Sequence, residues 1–169
     1  DPTEGALLTL AQKAGLSAAR VSLDFPRVSE IPFDAQRRMM TTIHRDGENF
    51  WDYVKGAPEA LLSQSARILT RQGERPLTEA DRGEIMARAG AMAGQALRVL
   101  GLAYRGLDGL PEPAPGVVEA DLVWVGLVGL MDPPRPEAKG AVARCREAGI
   151  RVIMVTGDHP DTARAVAGE

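Results

Sequence analysis

Lys55 and Gly56 stand in WDYVKGAPEALL (residues 51–62), where an apolar, strand-like run gives way to a helix-like one. A lysine at such a seam is either a solvated charge beside a glycine turn or an ammonium turned into a pocket, where it meets an anion or a ring nitrogen. Upstream, IPFDAQRRMM (residues 31–40) sets Phe33 beside Arg37 and Arg38. An aromatic can stack on a base and guanidinium forks suit phosphate, while the plain alternative for Phe33 is a core position in a strand. Near the carboxyl end, Thr156, Gly157 and Asp158 follow the apolar run IRVIMV. A hydroxyl, a glycine and free N–H groups at a helix start favour phosphate; the alternative is an ordinary strand-to-helix turn capped by aspartate. His44, His159 and the single Cys145 have no companions at zinc-ligand spacing.

The elements that must position these residues are read from periodicity. Leu7, Leu10, Ala11 and Ala14 recur at helical spacing between Thr3, a suitable N-cap, and Gly15, which predicts a helix over residues 4–14. RVSEIPF, RMMTTIHR and ENFWDYVK are β-branched or aromatic runs, the last two flanking Asp46-Gly47, so an antiparallel meander is expected. Helices are expected over residues 58–65 and 79–95, the second opened by the capping pattern TEAD with Thr78 as cap. LRVLGLAYR and DLVWVGLVGL read as two further strands separated by a proline- and glycine-rich loop. DPPRP (residues 132–136) can continue neither strand nor helix and marks a boundary. Beyond it the pattern predicts a helix over 137–148, a buried parallel strand over 150–155 and a helix opening at Pro160.

Bulk composition narrows the possibilities. With 44% hydrophobic and 25% charged residues the chain is expected to be globular, and a net charge of −3 with scattered Lys and Arg gives no footprint for nucleic acid. One cysteine excludes an intramolecular disulfide. The longest apolar run, residues 122–131, is half the length of a membrane helix, so no direct membrane insertion is expected of this piece.

Taken in order, DPTEGAL, IPFDAQRRMM, KGAPE, ALRVLGLAYR, VGLVGLMDPPRPE and GIRVIMVTGDHPDTA resemble the successive signatures of P-type cation-transporting ATPases of the calcium-pump and sodium-pump class, over nearly the whole chain. The resemblance implies an α/β (α+β) fold. A twisted antiparallel sheet flanked by helices would form a nucleotide-binding domain over residues 1–131, lacking its first strands. Residues 132–169 would be part of a haloacid-dehalogenase-like phosphorylation domain, with a hinge at 132–136.

As implied by the same resemblance, ATP or ADP is the ligand, with Glu4 by the adenine, Phe33 stacked on it, and Lys55 and Gly56 at the deep end. Arg38 stands where the family usually has a lysine, and Ala35 where some calcium pumps have an arginine. Arg98 would reach the phosphates, and Asp132 and Arg135 would form the hinge, with the arginine approaching the nucleotide on closure. Thr156 and Gly157 would contact the transferred phosphoryl group, and Asp158 would order their turn. Neither DKTGT, which carries the phosphorylated aspartate, nor GDGxND, which helps hold Mg²⁺, occurs in the 169 residues. The expectation is therefore nucleotide binding without turnover, with no catalytic residue and Mg²⁺ needed only by the intact pump. Partners would be the remaining phosphorylation, actuator and transmembrane domains at the cytoplasmic face of a membrane. Calcium is the first expectation for the cation, with sodium, potassium and proton open. Two alternatives stand beside it: a dehalogenase-type phosphatase, whose DxDx[TV] motif is absent, and an interaction module without a small ligand.

Overall fold

Alternation of buried and half-buried positions along MMTTIH makes one face of that run apolar, and a strand with one apolar face must pair and pack to hide it. In a computed structural model, which describes residues 2–110, 112, 114–131, 136–155, 164 and 167, this run is strand β2 (Met39–Asp46). It pairs antiparallel with β1 (Arg27–Asp34) and β3 (Asn49–Gly56). The β2–β3 connection is the two-residue turn Gly47-Glu48, and Gly47 takes the left-handed φ of 60° that a tight hairpin needs at its first central position.

Helix α3 (Pro58–Gln64) follows at once, with Pro58 in its first turn, and leads into the hairpin of β4 (Ser65–Thr70) and β5 (Gly73–Pro76). Helix α4 (Glu79–Ala93) opens on a complete capping box between Thr78 and Asp81. Arg75 reinforces it through two bonds to the Asp81 carboxylate, at 2.6 and 2.7 Å, and these bonds hold that carboxyl well below the usual range. Strand β6 (Arg98–Leu107) then returns to pair with β3. After the single turn α5 (Pro115–Val118), strand β7 (Leu122–Leu130) completes the sheet. The order is β1-β2-β3-β6-β7-β4-β5, and all neighbours run antiparallel except β4 and β7. Helices α1 (Pro2–Lys13), α2 (Ala18–Asp24) and α6 (Pro136–Glu147) complete the described elements.

The expected α/β fold, an open sheet flanked by helices, is what the chain forms. Helix α2, the β4–β5 hairpin, the single turn α5 and the state of the run 150–155 lie outside the sequence expectations. Helix α2 and the β4–β5 hairpin are short and mostly exposed, so their residues carry little apolar periodicity; the hairpin owes its place to backbone pairing of β4 with β7. The run 150–155 forms no strand and is exposed, with Val155 at 92%. A parallel strand takes its hydrogen bonds from neighbouring strands, and no described strand lies beside this run. Residues 132–135, 156–163, 165, 166, 168 and 169 lie outside the described residues, and with them the expected sites at Asp132, Arg135, Thr156, Gly157 and Asp158 and most of the expected final helix.

Two apolar clusters pack the sheet. Trp124 on β7, 2% exposed, joins Met39, Val54, Leu61, Leu62, Ile85, Ala103 and Leu122. A smaller cluster joins Ile31, Ile43 and Val118. The Trp124 ring fills the space that a side chain on Gly101 would need: a Cβ there would sit 2.6 Å from the indole. Removing a buried indole leaves a large void, so Trp124→Ala is expected to lose about 3–5 kcal/mol of stability. Urea unfolding should show a lower midpoint with an unchanged slope, and a loss below about 1 kcal/mol would contradict this packing.

Candidate functional site

The turn from β1 to β2 is built by its own polar groups. Asp34 Oδ1 accepts the backbone N–H groups of Gln36 and Arg37, each at 2.9 Å, and Arg38 N–H donates to the Asp34 carbonyl at 2.7 Å. Closing the turn this way puts Arg38 at φ 54°, a left-handed conformation costing a non-glycine residue of order 1 kcal/mol or more. The Arg38 carbonyl then accepts the N–H of Ala57 at 2.9 Å, so the turn is bonded to the seam between β3 and α3. Gly56 lies under this crossing. A Cβ there would press into the Arg38 carbonyl oxygen and come within 2.7 Å of Met39 Cβ and 2.8 Å of Leu61 Cδ1. Glycine is the residue that lets the two segments meet.

The crossing forms one end of a cleft of about 800 Å³. Glu4 from α1, Phe33 from β1, Arg38 from the turn, Lys55 and Gly56 from β3, and Arg98 from β6 all line it. These are all the described nucleotide-site candidates from the sequence. Phe33 is 63% exposed, so its ring is available at the cleft and the alternative of a core position does not hold. A bulge in β1 explains its direction. Between the pairs Ile31↔Thr41 and Asp34↔Met39, three steps on β1 face two on β2, so the alternation slips by one residue. Ile31 packs with Ile43 and Val118, whereas Phe33, two residues on, lines the cleft.

Lys55 is not an isolated cation. Its ammonium donates to the Glu4 carboxylate, which fastens α1 over the cleft, and Arg38 donates to Glu59 at 2.6 Å. Arg37 turns away from the cleft altogether and donates to Glu119. The expectation that Arg37 and Arg38 act together on phosphate therefore holds for neither the direction nor the surroundings of Arg37. Sequence reasoning did not single out Met86, Ala89, Gly90 and Ala93 of α4, which line the cleft together with Met40 and Pro58. The signal was present in ARAGAMA, whose small residues leave room beside a helix.

Behind the sheet lies a second polar group. Asp52 on β3 is fully buried, with Arg105 Nε 3.7 Å away, and neither carboxylate oxygen has a hydrogen-bond partner among the described residues. Burial pushes its carboxyl up to about 7, against the opposing pull of Arg105. Arg105 in turn donates to the carbonyls of Ala120 at 2.7 Å and Val117 at 2.6 Å, clamping the end of α5. Among the described residues there is no group of three or more His, Cys, Asp or Glu able to hold a metal ion, and no helix long and apolar enough to cross a membrane. With Phe33 exposed at it and Arg38, Lys55 and Arg98 along it, the cleft has the chemistry to take a flat apolar ring together with an anionic tail.

Residues 1–137 match the family model described as P-type ATPase, cytoplasmic domain N. The chain is 42% identical over 168 residues to the calcium-transporting ATPase of Bacillus subtilis (strain 168), covering 99% of this chain and 19% of that protein. It is 45% identical to the cation-transporting ATPase pma1 of Synechocystis sp., covering 99% of this chain and 18% of the relative. To the sodium/potassium exporting P-type ATPase cta3 of Schizosaccharomyces pombe it is 41% identical, covering 100% of this chain and 16% of the relative. The chain therefore spans less than a fifth of the length of these relatives.

Two outcomes follow from this geometry. Gly56→Ala is expected to cost roughly 1–3 kcal/mol by overpacking and to shift the amide resonances of Arg38 and Ala57; unchanged spectra would contradict the close crossing. For Asp52 the folded-state carboxyl titrates near about 7, above its ordinary 3.8, so the folded state binds the proton more tightly than the unfolded chain. That stabilising contribution is complete below about pH 4 and is lost as pH rises through about 7. Asp52→Asn cannot ionise, so its stability relative to wild type should climb between these limits and then level off. Urea unfolding across that range checks this, and parallel curves for the two proteins would refute it.

Proposed function

The chain belongs to the P-type ATPase family, matching its cytoplasmic domain N, and on that premise we propose that the cleft between Phe33 and Lys55 binds ATP and ADP. One observation carries the reading: Glu4, Phe33, Arg38, Lys55, Gly56 and Arg98, separated by up to 94 positions in sequence, line a single cleft. Adenine stacks on Phe33 among the apolar side chains that line the cleft, Met40 and Met86 included, with Lys55 and Glu4 as its polar neighbours. Arg38 and Arg98 supply positive charge for the phosphates. A ring held by stacking and by charge at its rim is recognised mainly as a base.

Binding and orientation are the proposed work of these residues. The 169 residues contain neither the DKTGT nor the GDGxND segment, so this polypeptide is proposed to hold nucleotide without turning it over. Mg²⁺ belongs to the proposed chemistry of the intact pump; the described residues offer it no cluster of ligands and no step here depends on it. In that pump, closure at residues 132–136, with Arg135, would bring the γ-phosphate towards Thr156, Gly157 and Asp158 and the phosphorylation domain, coupling ATP hydrolysis to cation movement at the cytoplasmic face of a membrane. Calcium is the proposed cation, because the Bacillus subtilis relative carries that name.

Calorimetric titration of the 169-residue chain with ATP tests this directly. Binding is expected with and without Mg²⁺, with no steady phosphate release. Base stacking is worth about 1–3 kcal/mol, so Phe33→Ala should weaken ATP binding roughly tenfold or more. An unchanged titration for that variant would remove Phe33 from the site.

A further inference from the structure

A side chain that is 63% exposed, as Phe33 is, has little packing of its own to hold it, so its place at the cleft is set by the backbone that carries it. That backbone is held from the far side of the turn. Arg37 donates through Nη2 to the carbonyl of Pro32 at 2.7 Å, the peptide unit that leads into Phe33, and through Nη1 to Glu119 Oε1. Glu119 is itself almost fully buried, with its side chain 5% exposed, and the same Oε1 accepts the Thr41 hydroxyl at 2.7 Å. The segment carrying Glu119 is fixed in turn: Glu119 N–H donates to the Pro115 carbonyl at 2.9 Å, and Arg105 clamps the carbonyls of Val117 and Ala120 on either side.

From this arrangement we infer that Arg37, braced by Glu119, is a positioning residue for nucleotide binding that acts through Phe33 without touching the ligand. The inference rests on the reading of the cleft as an ATP site. Three features of the geometry support it. Arg37 does not line the cleft, whereas its sequence neighbour Arg38 does. Its two bonds tie the bulge of β1 directly to the segment just past α5, 82 positions away in sequence, alongside the packing of Ile31 on Val118. A bulge with its extra residue unpaired is the softest place in a ladder, and it is here that Arg37 grips the chain. A planar guanidinium fork, with donors on separate nitrogens, suits such a bridge better than the compact ammonium of a lysine, whose donors share one nitrogen.

A double-mutant cycle measured by ATP calorimetry decides the matter, with folding of each variant confirmed by far-UV circular dichroism. Arg37→Ala is expected to weaken ATP binding roughly three- to tenfold, in line with couplings between residues that share a network. If Arg37 acts only through Phe33, the double variant Phe33→Ala/Arg37→Ala binds as weakly as Phe33→Ala alone. Glu119→Gln, which keeps an acceptor oxygen, should retain near wild-type affinity, while Glu119→Ala should match Arg37→Ala. Should Arg37→Ala fail to fold, Arg37→Lys takes its place in the cycle, with a smaller loss. Wild-type affinity in the Arg37 variant, or losses that add in the double variant, would overturn the inference while leaving the ATP site standing. Wild-type affinity in Phe33→Ala would instead bring down the site, and the inference with it.

Discussion

The crossing of Gly56 beneath the Arg38 carbonyl is the contact on which the rest of the cleft depends. It is local in space but joins segments 18 positions apart in sequence: the capped turn that ends β1 and the seam that ends β3. The bond from Ala57 N–H to Arg38 oxygen fixes the separation of the two, and the absence of a side chain on Gly56 permits it. Arg38, placed by the turn, and Lys55 and Pro58, placed by the seam, are positioned relative to that one bond. The left-handed backbone at Arg38 is its cost, and the Asp34 cap and the Arg38–Glu59 pair help offset it.

The two faces of the sheet do different work. The cleft side carries charge that is paired but reachable, as Lys55 with Glu4 and Arg38 with Glu59. The other side carries polar groups that are buried or half-buried, with the carboxyls of Asp52 and Glu119 inside and the guanidinium groups of Arg37 and Arg105 partly covered around α5. Buried charges are held in place tightly because misplacing them leaves an unmet desolvation cost.

Much of this was legible in the sequence, because the residues that line the cleft sit in strongly patterned segments. The β-branched and aromatic runs flanking Asp46-Gly47 announced the meander, and KGAPE announced the seam. What escaped was set by contacts distant in sequence. The β4–β5 hairpin has mostly exposed side chains and exists because β7 offers β4 a partner. The direction of Phe33 depends on a bulge that no local propensity encodes, and the direction of Arg37 depends on Glu119, far along the chain. Conversely, the run 150–155 has the composition of a buried strand but no described neighbour to pair with, so composition alone misled.

The rims of the seven-stranded sheet carry a further meaning. At one end β1 is bent by its bulge, carries the charged pair Arg27 and Glu30, and includes Pro32, which has no N–H to offer. At the other, β5 is only four residues long and ends in Pro76 behind Glu74 and Arg75. Neither border presents a long straight row of unmet backbone groups, so a stray polypeptide finds no template there on which to extend the ladder.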